Sequence, residues 1–203
     1  MKKITLCVVW FIIFAMTGFG VPKNTGDSDI PLVWNPSETV RSFEAIDLTV
    51  YNNVRFMIKP FKDARKRPAE IGVNIESEDE ELLVTTGDNV AEWLTDRFSE
   101  LFVALDVDVV DKDGSIILQA EIIRFFVTEK ATYKAEVELK IRLLSTNNDV
   151  LWEGVARGKA TRFGRSFTAE NYNEALSNAT IYAVHSLLRD EDFINAVKRS
   201  LPI

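Results

Sequence analysis

Between Tyr133 and Leu143 the chain alternates without a miss. Tyr133, Ala135, Val137, Leu139, Ile141 and Leu143 fall on one side, and Lys134, Glu136, Glu138, Lys140 and Arg142 on the other. A strict period of two dictates a strand with one face in a core and the other in water. Turn sequences bracket its neighbourhood: "DKDG" at Asp111–Gly114 and "TNND" at Thr146–Asp149, where Asp, Asn and Gly tolerate the left-handed backbone of a tight turn. Strands are therefore predicted at Ser115–Val127 and from Val150 to about Arg162. The short connections between them predict antiparallel neighbours.

The last of these strands has a second peculiarity. Trp152, Gly154, Ala156, Gly158 and Ala160 share one face, which is nearly bare after Trp152. Small side chains let a helix lie close on a sheet. The other face carries Arg157 and Lys159. The glycines do not make a phosphate-binding loop. Gly154 and Gly158 enclose three residues where four are needed, and Ala160 stands where Ser or Thr would follow the lysine.

Two stretches have helical spacing. Val90, Trp93, Leu94, Phe98, Leu101, Phe102 and Leu105 recur at three and four after Thr86 or Asp88. Tyr172, Leu176, Ala179, Ala183 and Leu187 do so from Glu170 to about Arg189, with Thr168 as N-cap. Asp190 is placed to cap a short third helix carrying Phe193, Val197 and Leu201. Short strands are expected at Ile46–Tyr51 and Val54–Phe61. Residues 62–86 show little period, and their acidic run Glu76–Glu81 reads as a solvated loop. The expected fold is α+β: an antiparallel meander of about four to five strands, with two main helices on one face, in strand-helix-strands-helix order.

Lys2 and Lys3 precede an apolar run from Ile4 to Met16, with Gly18 and Gly20 ahead of Val21. That is the pattern of a secretory signal peptide over residues 1–20; the alternative is an uncleaved anchor that would keep the chain at a membrane. Residues 21–50, with Pro22, Pro31 and Pro36, read as an N-terminal arm, and 51–203 as a single domain. Cleavage would lower the basic count from 24 to 22 against 31 acids, taking the charge from −7 to −9. An acidic chain is a poor general binder of nucleic acid. The single cysteine, Cys7, follows Leu6 inside the apolar run, unlike a lipidation site.

No reactive group stands out. His185 is the only histidine, no G-x-S-x-G elbow occurs, and Val110 interrupts the acids that would imitate a calcium loop. No metal, cofactor or catalytic residue is expected. Arg162 and Arg165 flank Gly164 just before a helix N-terminus, where anions are favoured. With Arg157 and Lys159 they are the candidate contacts for a partner or anion. Phe125 and Phe126 must face opposite sides of their strand, so one of them, with Ile117 or Ile123, is expected to leave an apolar strip outside unless the arm covers it.

The segments "PFKDAR", "DNVAEWLTDRF", "LQAEIIRFFV", "YKAEVELKIRLL", "LWEGVARGKATRFGRSF" and "ENYNEALSNAT" come in an order that resembles the YajG-like family of bacterial envelope lipoproteins, over about residues 54–200. The resemblance implies an α+β domain facing the periplasm. The chain departs from that family in lacking a lipobox cysteine. The expected function is a non-catalytic binding or accessory module for an envelope protein or lipid-linked partner. The alternative is a carboxylate-dependent hydrolase acting on envelope glycans or lipids.

Overall fold

A computed structural model describes residues 28–39, 47–77, 80–165 and 167–201. The expected signal peptide, Cys7 and the start of the arm lie outside the described residues. Among the described residues nine strands form one mixed sheet, and three helices cover one of its faces. The elements are β1 (Ser28–Asp29), a 3-10 turn (Leu48–Tyr51), β2 (Arg55–Ile58), β3 (Lys62–Asp63), β4 (Glu70–Ser77), β5 (Glu80–Thr85), α1 (Val90–Ala104), β6 (Asp108–Val109), β7 (Ile116–Glu129), β8 (Thr132–Ser145), β9 (Val150–Phe163), α2 (Ala169–Leu188) and α3 (Glu191–Ser200).

The meander is present as β7–β8–β9, three 14-residue strands in antiparallel register. It is not the whole sheet: instead of the expected four to five antiparallel strands, the described residues form nine strands paired both parallel and antiparallel, and the short third helix joins the two main ones. Along its other edge β7 takes three partners in turn, all parallel to it: β2 at Ile116–Leu118, β3 at Glu121–Ile122 and β4 at Val127–Glu129. β6 adds to β2, and β5 and β1 add beyond β4. Parallel pairs need long crossovers, and the stretch from β3 through α1 separates β2 from β7.

The strands from residues 62–86 were hidden for a physical reason. In β4 the positions sharing the inner row with Val127 and Glu129 are Gly72 and Asn74. A side chain at Gly72 would lie 2.8 Å from the Tyr172 ring, and Asn74 serves a buried polar group. An inner row of glycine and asparagine leaves no apolar alternation to read.

The core lies between the sheet and the helices. Phe56, Phe102 and Phe193 join β2, α1 and α3, and Phe125 meets Trp93 of α1. Asn89 caps α1 and Asp190 caps α3 through their side chains. Thr168 occupies the N-cap position of α2 but makes no side-chain capping bond. α2 is buried on nearly all sides. One side faces the sheet, and another carries Asn173, Ser177 and Asn178, which bind the backbone of residues 31–38. Val33 N donates to Asn173 Oδ1, Asn35 N to Ser177 Oγ, and Ser37 N to Asn178 Oδ1, each at 3.1 Å. The described part of the arm is thus a strap across α2, with Ile30 buried beneath it.

Candidate functional site

The bare row of β9 lies under α2. Ala156, Gly158 and Ala160 are buried. A β-carbon on Gly158 would sit 1.8 Å from the Ala179 carbonyl oxygen and 2.5 Å from Ala183 N. Trp152 turns its ring over Gly154 and against Phe193, with centroids 5.1 Å apart.

The four candidate basic residues do not converge. Arg157 and Lys159 lie on the outer face of β9, where they pair with Glu138 at 3.2 Å and Glu136 at 2.8 Å. Glu136 also pairs with Arg124. The hydrogen bond from Lys159 first, and then the charge of Arg124, hold the Glu136 carboxyl below its usual range. Arg162 turns inward to Glu174 of α2 at 2.6 Å and also donates to the Phe163 carbonyl. Arg165 is exposed at the rim of a shallow recess of about 270 Å³ shared with Glu76, Lys130 and Ala131.

Between Arg162 and Arg165 stands Phe163, 82% exposed at the end of β9. Across the ladder its partner is Thr132, at the tip of the β7–β8 hairpin. The corner therefore presents one exposed aromatic ring, two residues before the exposed Arg165. Its odd position beyond the bare row is the one trace in the sequence that marks Phe163 as outward.

Beneath this corner lies a group that the sequence did not announce. Glu129 is fully buried. Its Oε2 accepts from Asn74 Nδ2 and from the Tyr172 hydroxyl, both at 2.9 Å, and its Oε1 accepts from Phe167 N at 3.1 Å. Tyr133 packs its ring on Tyr172 at 5.2 Å. Burial first, and then the hydrogen bond to Glu129, push the Tyr172 hydroxyl far above the usual phenol range. The bond to Phe167 fixes the loop between β9 and α2, where Phe167 holds φ +36° and Gly164 φ +153°. A side chain at Gly164 would strike Arg162 Nη1 at 2.6 Å. A non-glycine residue at positive φ is kept only where its surroundings over-determine it, and the Glu129 carboxylate is what holds Phe167.

Phe125 points into the core, while Phe126 lies outward under Arg124, whose guanidinium sits 5.2 Å from its ring. Ile123, 46% exposed, lies beside it. Among the described residues no group of three or more His, Cys, Asp or Glu is placed to hold a metal ion. No helix among them is long and apolar enough to cross a membrane.

No family model and no curated protein matches the chain. Solved structures do. An uncharacterised protein matches at 8% identity with a TM-score of 0.51, over 81% of this chain and 99% of its own. At that score the two share a fold. A DUF330 protein from Xanthomonas campestris is 14% identical over 79% of this chain and 91% of its own, with a TM-score of 0.47. A lipoprotein from Neisseria meningitidis is 12% identical over 53% of this chain and 83% of its own, with a TM-score of 0.28. None of the three singles out the YajG-like family.

Proposed function

We propose that the chain is a non-catalytic binding or accessory module of the bacterial envelope, allied to the YajG-like lipoproteins, and that it engages an envelope protein or lipid-linked partner through the corner at Phe163 and Arg165. One observation carries this reading: a phenylalanine 82% exposed at the end of a long strand, beside a loop held in a strained conformation from below. An exposed aromatic on a pre-organised support is a low-entropy anchor for a partner. Export follows from the signal-like start of the sequence. Carboxylate-dependent hydrolysis is the less favoured reading, because the buried acid, Glu129, already accepts three hydrogen bonds with its two oxygens.

A photo-reactive amino acid at position 163, in living cells, tests the corner. It is expected to give a discrete adduct that is lost in Arg165→Glu, while the same probe at exposed Val33 gives none. No discrete adduct at 163, or the same adducts at both positions, refutes the reading.

A further inference from the structure

A second site lies on the outer sheet face, away from the corner. The backbone of β2 leaves the sheet at Pro60. Lys59 N still bonds the Leu118 carbonyl at 2.9 Å, but Phe61 N turns to Thr95 Oγ1 of α1 at 2.9 Å. Pairing with β7 resumes at Lys62, opposite Glu121. The interruption leaves an open groove of about 180 Å³ floored by Gln119 and Ala120 and walled by Lys59, Lys62, Lys140 and Arg142. Lys140 is eight residues along β8 from Thr132, the partner of Phe163; at about 3.3 Å per residue that is roughly 26 Å from the corner.

The charge here runs against the rest of the chain. Four cations border the groove of a protein whose net charge is −7. Among the described residues only two acids answer them. Glu121 meets Lys62 at 3.5 Å, and Glu153 is shared by Lys140 at 2.9 Å and Arg142 at 2.8 Å. Lys59 meets no acid among the described residues. The surplus is two positive charges. Spare donors remain as well, since a lysine has three and an arginine five, and Glu153 engages few of them.

The geometry points to a binding site for a phosphate monoester, with Lys59, Lys62, Lys140 and Arg142 as its donors. A monoester carries about −1.5 to −2 charges at neutral pH, which matches the surplus; a carboxylate would neutralise half of it. An arginine fork with lysine point charges is the usual means of holding such a group. The volume falls below the roughly 300 Å³ at which pockets for whole small molecules begin. The groove therefore takes the phosphorylated head of a ligand and leaves the remainder outside.

The test uses the purified chain and two probes. Inorganic phosphate is titrated by calorimetry, and vesicles of phosphatidylcholine with or without phosphatidic acid are floated with the protein. Phosphate is expected to bind at least about tenfold more tightly than acetate, and Lys59→Ala/Lys140→Ala to lose at least about tenfold. Lys134→Ala, on the same face but outside the groove, is expected to change little. Affinity is expected to fall as the pH drops through the second ionisation of the phosphate, where the anion gains a proton and loses charge while lysine and arginine stay charged. Phosphate binding without flotation identifies a free phosphate ester; flotation only with phosphatidic acid, displaced by phosphate, identifies a lipid headgroup. Both support the site. Binding to neither probe, acetate binding as tightly as phosphate, or an equal loss in Lys134→Ala overturns it. The groove variants leave Phe163 and Arg165 untouched, so this result and the cross-linking result at the corner stand or fall separately.

Discussion

Adding one carbon at Gly158 should do more harm than removing the whole charged head of its neighbour. The β-carbon of Gly158→Ala would stand 1.8 Å from the Ala179 carbonyl oxygen, where ordinary contact begins near 3.4 Å, a shortfall of about 1.6 Å. The obstructing atoms are backbone, so no rotamer change relieves them, and α2 must move off β9. Overpacking of a close-packed core costs about 1–3 kcal/mol, occasionally more; a backbone collision of this depth belongs at about 3 kcal/mol or above. In a domain of 150–250 residues each kcal/mol lowers Tm by about 2–4 °C, so a loss of at least about 6 °C is expected. Lys159→Ala removes only an exposed pair with Glu136, which keeps Arg124. Exposed pairs contribute about 0.2–1 kcal/mol, hence at most about 4 °C. Ala179→Gly should not rescue Gly158→Ala, because the collision is with a carbonyl that glycine also has. The assay is thermal melting of the three variants by circular dichroism. If Gly158→Ala melts no lower than Lys159→Ala, the close approach of α2 to β9 is wrong.

Glu129→Gln keeps the shape but turns an amide N–H₂ toward a donor, either Phe167 N or the Asn74–Tyr172 pair. A loss of about 1–3 kcal/mol is expected in urea unfolding, and an unchanged midpoint would mean that the carboxylate is not the clasp. Arg65 is buried over Phe125, paired with Asp63 at 2.7 Å, and donates to the carbonyls of Pro68, Glu70 and Phe125. Arg65→Ala strands Asp63 and should cost about 3–5 kcal/mol. The double variant with Asp63→Ala should recover part of that in the same assay, and additive losses would show that the two do not act as a pair. Toward alkaline pH, Tyr51, raised by burial, and Tyr172 stay protonated in the folded state. The unfolded chain loses these protons near pH 10, so stability should decline as pH rises beyond that point. Tyrosinate absorbance from these two should then appear together with unfolding, as tested by comparison with their Phe variants; ionisation of both in the native state refutes this. Toward acid, the Glu136 and Glu153 carboxyls are depressed, Glu136 chiefly by Lys159 and Glu153 by Lys140 and then Arg142. The unfolded state therefore binds protons first, and the contribution of these pairs is present above the ordinary carboxyl range and lost as pH falls through the depressed values. Glu136→Gln should flatten the acid limb of a stability–pH curve, and an unchanged limb counts against it.

Legibility in the sequence followed one condition: a residue had to have a single reason for its place. Leu139 and Lys140 obey the pleat alone, and β8 could be read to within a residue or so. α1 is equally plain because one side of it is wet. α2 disclosed its apolar stripe but not its surroundings, since Asn173, Ser177 and Asn178 look like solvated positions and instead hold the strap at 31–38. β7 disguised Glu129 in another way. Its inner row runs Ile116, Leu118, Ala120, Ile122 and then, after a bulge between Ile122 and Arg124, Phe125, Val127 and Glu129. The phase of the alternation slips by one residue, and only the slipped phase places the acid inside. The adjacent apolar pair Phe125–Phe126 was the trace of that slip. β2 falls within the strand expected at Val54–Phe61; its parallel pairing, and the strands β3 and β4, were least legible, because short strands that share one long neighbour are specified by that neighbour more than by their own pattern.

The buried acid and the exposed aromatic then belong to one device. Left to local preference, the backbone at Phe167 would relax away from φ +36°, and α2 has no side-chain cap to hold its start. Glu129 opposes this by accepting the Phe167 N–H while Tyr172, in the first turn of α2, donates to the same carboxylate. β7, β4, the loop and α2 are thereby pinned at one point under the corner, and Arg162 adds a second tie to α2 through Glu174. The rigidity of the corner is thus decided in the core, and Glu129→Gln should weaken adduct formation at position 163 even though residue 129 never meets the partner. If that variant cross-links as well as the parent while Arg165→Glu does not, the corner owes its shape to β9 alone.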